Sequence, residues 1–98
     1  MSLPVVLRLE ASADVEEARD YLDGQQPGQG QAFLERLRET LAQVGDMPAL
    51  YGVIWRNVRA ACLRQFTYVV YYRVYDDRVE VLAVMHGSRA ATAWKRRV

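Results

Sequence analysis

His86 and Arg89 stand three residues apart in VMHGSRAATAW (84–94), and Trp94 closes the stretch. A histidine titrates near neutrality and can move a proton, while an arginine presents a planar fork to a phosphate or carboxylate. Together they are candidates for acid–base work on an anionic substrate. Cleavage of RNA by its 2′-hydroxyl needs a group to take that proton, one to protonate the 5′-oxygen, and positive charge on the phosphate. Arg59, Arg64, Arg73 and Arg89 can supply the charge and His86 the proton transfer. His86 is the only histidine, however, and no carboxylate partner is evident near it, so it suits a strand-end hydrogen bond as well. Arg59 and Arg64 are five residues apart, which places them on opposite faces of a regular strand. Cys62 is the only cysteine, so there is no internal disulfide and no Cys/His set for zinc. Its apolar setting suggests a buried, inert thiol. Neither a metal nor another cofactor is expected.

The net charge of +1 conceals two unlike halves. Residues 1–50 hold four basic side chains against nine acidic ones, whereas residues 51–98 hold nine against three. Twelve of the thirteen cations are arginine, which makes the C-terminal half a candidate anion-facing surface. No apolar run approaches the roughly 18 residues of a membrane span. The N-terminus MSLPVVLRLE lacks the pattern of a signal peptide, so a cytoplasmic location without a membrane partner is expected. The 98 residues are expected to form a single domain, 1–98.

The elements that must position these residues follow from periodicity. PVVLRLE (4–10) alternates as a strand does. Ser12 or Asp14 can cap a helix carrying Val15, Ala18 and Leu22, which ends near Gly24. QQPGQG (25–30) is a turn. A second helix displays Phe33, Leu34, Leu37, Leu41 and Val44, with Gly45 at its C-cap and Pro48 beyond. NVRAACLRQF, TYVVYYRVY and RVEVLAVMH are β-branched and aromatic runs, the last two joined by a tight turn at Asp76-Asp77. A short helix or tail spans 90–97. Strict alternation over 79–86 sets Val79, Val81, Ala83 and Met85 on one face and Glu80, Leu82, Val84 and His86 on the other. Both faces of the central strands are largely apolar. One helix hairpin covers only one of them, which leaves the second either for a partner or for the terminal segment through Trp94.

ADVEEARDYL (13–22), PGQGQAFLERL (27–37), MPALYG (47–52), NVRAACLRQFTYVVYYRV (57–74) and VEVLAVMHGSRAATAW (79–94) form an ordered set. This set resembles the ParE branch of the RelE/ParE toxin superfamily, the toxins of bacterial type II toxin–antitoxin modules. The resemblance runs from about residue 7 to residue 94. It implies an α+β fold of order β-α-α-β-β-β, with a helical hairpin packed on a twisted antiparallel sheet and a short C-terminal helix. It also implies a toxin neutralised by a cognate ParD-like antitoxin, in a toxin–antitoxin hetero-oligomer that stabilises a plasmid or chromosomal locus. ParE-like members poison DNA gyrase by binding; RelE-like members cut messenger RNA on the ribosome. No lysine precedes position 95, and Tyr68 stands where RelE-like strands carry an arginine. A binding inhibitor of DNA gyrase is therefore the expected function, with a ribosome-dependent mRNA endonuclease as the alternative. In the first case Arg59, Arg64, Arg73, His86, Arg89 and Trp94 are the candidate target- or antitoxin-binding residues. In the second, His86, Arg59, Arg64 and Arg89 would be catalytic.

Overall fold

A computed structural model describes residues 2–98. Strand β1 (Val5–Leu7) leads into helix α1 (Leu9–Gln25), helix α2 (Gln29–Asp46) and a 3₁₀ turn at Pro48–Leu50. Strands β2 (Val53–Trp55), β3 (Val58–Cys62), β4 (Tyr68–Val74) and β5 (Val79–His86) follow, then helix α3 (Thr92–Lys95). The sheet order is β1-β5-β4-β3-β2. Strands β2 to β5 form the antiparallel part, and β1 joins parallel to β5 with Val5 beside Val79 and Leu7 beside Val81.

The helices read from periodicity are present with altered ends. Helix α1 begins at Leu9, ahead of both Ser12 and Asp14, because Ala11 is fully buried against the sheet and the Ser12 N–H already bonds to the Arg8 carbonyl. Ala11 and Ala18 are the buried positions of α1. Their small side chains let the helix lie close to the sheet. Helix α2 buries Phe33, Leu37, Thr40 and Val44 along one stripe, and the Thr40 hydroxyl donates to the Arg36 carbonyl one turn back. Its N-terminus is capped from α1: the Asp23 carboxylate accepts the N–H groups of Gly28 and Gly30 at 3.0 and 3.1 Å. Gly45 lies inside α2 rather than at its C-cap. Its missing Cβ makes room for the backbone of Leu3, since a Cβ there would stand 2.8 Å from the Leu3 oxygen.

Two departures shape the sheet. A short strand, β2, occupies 53–55 next to the proline-tyrosine loop and turns into β3 through Arg56, whose φ of 53° lies in the left-handed region. Three residues give too little alternation for a strand to be read. The second departure is a bulge in β5. Tyr71 pairs with Ala83 but Tyr72 pairs with Val81, so Leu82 is the extra residue. The bulge breaks the strict alternation expected for 79–86. Val79, Val81 and Val84 join the core under the helices, together with Tyr68, Val70 and Tyr72. Leu82, Ala83 and Met85 pack on the opposite face with Val58, Tyr71 and Trp94. The terminal segment covers the apolar part of that second face: Trp94 stacks on Tyr71 with ring centroids 4.6 Å apart and planes inclined by 15°, and meets Trp55 edge-on at 5.8 Å.

Burial raises the hydroxyl pKa values of Tyr68, Tyr71 and Tyr72. Below about pH 10 these groups are neutral in both folded and unfolded chains and add no pH dependence. Above it the unfolded chain releases protons that the fold retains, so stability falls as pH rises through the folded-state values, by up to roughly 1.4 kcal/mol per pH unit per tyrosine. The urea midpoint is expected to hold level to about pH 9.5 and to drop steeply by about pH 11. A midpoint that stays level to pH 11 would contradict the burial of these rings.

Candidate functional site

Helix α1 sets Asp14, Glu17, Ala18 and Tyr21 at positions i, i+3, i+4 and i+7, on one face. That face and the C-terminal half of β5 enclose a cleft of about 460 Å³, also lined by Tyr68, Val84, His86, Ser88 and Arg89. The cleft exists because β1 ends at Leu7, opposite Val81, so the edge of β5 beyond that point has no strand beside it. Asp14 and Arg97 fill the first part of this gap. The Asp14 Oδ2 accepts the Val84 N–H at 3.0 Å, and the Arg97 guanidinium donates to the Leu82 carbonyl at 3.1 Å. Arg97 also grips Asp14 with two nitrogens, at 2.6 and 3.2 Å. Hydrogen bonding to Asp14 holds the Arg97 pKa above its ordinary value. A further contact, from the Arg8 side chain to the Arg97 carbonyl, fastens the same segment.

His86 sits at the mouth of this cleft, edge-on to Tyr68 with centroids 5.5 Å apart. Both its ring nitrogens are engaged. Nε2 meets the Thr67 hydroxyl and Nδ1 the Ser88 hydroxyl, each at 2.7 Å. The Ser88 backbone N–H also donates to Nδ1 at 3.1 Å, which makes Nδ1 an acceptor and assigns the neutral ring's proton to Nε2. The imidazole thus joins the start of β4 to the turn after β5. Tyr68 occupies the position of the missing strand arginine and is a core residue, packed between the Phe33 and His86 rings. Burial is the first cause of its raised pKa, followed by Tyr21 and Glu17 nearby.

The other expected site residues do not gather at this cleft, apart from Arg89. Arg59 pairs with Tyr72, four residues along β4 from the Tyr68 that pairs with His86. That separation is roughly 13 Å of strand. Its guanidinium donates to the Tyr51 carbonyl at 2.6 Å. Arg64 lies in the loop after β3 and lines a separate groove against α2 with Arg36, Glu39 and Gln43. Arg73 lies across the sheet from the helices, where it pairs with Glu80 at 3.3 Å, and Glu80 in turn meets Arg8 at 3.6 Å. Trp94 is buried as the anchor of the second core. Cys62, expected to be buried, is exposed. It ends β3, where the strand gives way to the loop carrying Gln65 at a φ of 72°.

Asp14 and Arg97 are the residues that sequence reasoning missed. Asp14 reads as a helix cap, and Arg97 as one charge of a basic tail. A carboxylate within the helix, on the same side as the buried alanines, was the available signal.

The model of the family described as "ParE toxin of type II toxin-antitoxin system, parDE" matches residues 5–91. No curated protein shows a significant match. Among solved structures, a chain of the "Chromosomal ParDE TA system from P. aeruginosa" is similar in fold, with a TM-score of 0.76 and 13% identity. The alignment covers 87% of this chain and 96% of that one.

Proposed function

The chain belongs to the family of ParE toxins of type II toxin–antitoxin systems, and from that premise we propose that it arrests growth by binding DNA gyrase in the cytoplasm. The observation that carries a binding mode is that, of the arginines a nuclease would need, only Arg89 shares the cleft with His86. His86 has its nitrogens tied to Thr67 and Ser88, Arg59 is turned to Tyr51, Arg64 faces α2, and Arg73 is paired on the far face. General acid–base cleavage requires such groups within hydrogen-bond reach of one phosphate. Gyrase as the target rests on the resemblance to the ParE branch. Arg64 and Arg89, both exposed, are the arginines best placed for target contact.

A cognate antitoxin would neutralise the toxin by covering it. Residues 92–98 already occupy the outer face of the sheet; Met47, Leu50, Val53 and Ile54, each at least half exposed, gather around the β2 edge, whereas the exposed Leu9 and Tyr21 lie on α1. That edge also offers unpaired backbone groups to an added strand. The purified chain is expected to inhibit gyrase supercoiling, and His86→Ala to retain that inhibition within about threefold, since the imidazole serves the fold. Ribosome-dependent transcript cleavage that disappears in His86→Ala would refute the binding mode.

A further inference from the structure

We propose that the sheet face opposite the two long helices, centred on Trp55, is a phosphate-binding surface for duplex DNA. This is a direct contact with nucleic acid, separate from any contact with gyrase. Five cation–ring contacts occur on the described residues, where a chain of this length ordinarily has about one. Two cations share the Trp55 indole: the Arg56 guanidinium carbon lies 4.3 Å from the ring centroid and the Lys95 Nζ 4.8 Å. Arg73 and Arg78 lie over Tyr75 at 5.8 and 4.2 Å. Trp55, Trp94 and Tyr71 belong to one cluster, and Arg73 follows Tyr71 two residues along the same face of β4, so the two groups of cations are neighbours.

Two of these charges lack acidic partners. Among the described residues, no carboxylate lies within salt-bridge distance of Arg56 or Lys95, whereas Arg73 and Arg78 are paired with Glu80 and Asp77. Like charges held beside one ring repel, and an anion placed between them removes that repulsion. Arg56 is also an uncommon residue for its conformation. A φ of 53° favours glycine or asparagine, so this arginine is kept at some cost in backbone energy.

The chemistry of the face selects the ligand. Tyr71, Leu82, Met85 and Trp94 are buried, so an amphipathic peptide finds little apolar surface to cover here. The Trp55 and Tyr75 rings lie beneath cations, so they are poor platforms for the unstacked bases of single-stranded RNA. Around Trp55 what projects outward is the unpaired Arg56 guanidinium and Lys95 ammonium, flanked by the paired Arg73 and Arg78, which suits the regular phosphates of a duplex without regard to sequence.

Fluorescence anisotropy of a labelled 20-base-pair duplex with the full chain tests this directly. Two unpaired cations predict a salt slope of about −1.8, hence roughly 12-fold weaker binding at 200 mM than at 50 mM salt. The double variant Arg56→Asn with Lys95→Gln is expected to bind at least tenfold more weakly at 50 mM. It should fold as well as the parent, because asparagine tolerates the turn conformation. Arg38→Gln, an exposed position on α2, should bind within twofold of the parent. Any of four results would overturn the proposal: no binding at 50 mM salt, equal losses in the double variant and Arg38→Gln, tighter binding of single-stranded RNA, or equally tight binding of a poly-glutamate peptide. A chain that binds duplex but leaves supercoiling untouched would sink the gyrase reading and leave this one standing.

Discussion

Asp14→Ala is expected to lower stability by about 3 kcal/mol, the range for removing one partner of a largely buried, doubly hydrogen-bonded ion pair. The Asp14 and Arg97 side chains are 13% and 19% exposed, so solvent does little to replace what is lost. The substitution leaves a guanidinium facing the edge of β5 and strips the Val84 N–H of its acceptor. For a domain of this size the melting temperature should fall by roughly 12–20 °C. Asp14→Asn keeps an acceptor for Val84 but loses the charge, and should fall between alanine and the parent. Because Arg97 has a raised pKa, its charge persists below the ordinary arginine range and is lost only far into alkali, so the deficit of Asp14→Ala should be constant from about pH 6 to pH 9. A loss under 1 kcal/mol would mean that the C-terminal segment is not held at this point.

Trp94→Ala is expected to cost about 3–4 kcal/mol, as for other large aromatic truncations in a core. Its indole stacks on Tyr71 and abuts Trp55, and without it Tyr71, Leu82 and Met85 face solvent. The variant should therefore self-associate as well as unfold more readily, visible as a concentration-dependent sedimentation coefficient. Trp94→Phe should recover more than half of the loss. Trp94 and Arg97 fasten the same few residues, so their effects are coupled. Asp14→Ala combined with Trp94→Ala should cost at least 1 kcal/mol less than the two single losses together, since either change alone frees the segment that the other would have held. Strict additivity in urea titrations would show two independent anchors instead.

Much of this arrangement was legible in the sequence. The stripe of Phe33, Leu37 and Val44 and the turn at Asp76-Asp77 depend on local periodicity and turn chemistry, and they appear where expected. The faces of β5 were not legible. A single extra residue at Leu82 reverses the alternation, and nothing in RVEVLAVMH marks where a bulge will fall. That reversal carries Val84 to the helix side and so decides the place of His86. Asp14 was hidden for a different reason. Its partners lie 70 and 83 residues away, and a carboxylate near a helix start is first read as a local cap. The charge asymmetry, by contrast, was evident from composition; only the placing of Arg56 and Lys95 over Trp55 required the fold.

The most direct test of a gyrase-binding toxin uses one preparation in two assays. The purified chain is added to gyrase with relaxed plasmid, and to a translating extract whose transcripts are mapped by primer extension. The expected result is loss of supercoiling at near-stoichiometric toxin, relieved by the cognate antitoxin, with transcripts left whole. Supercoiling that continues at a large molar excess of toxin, beside transcripts cut in the ribosome, would contradict it.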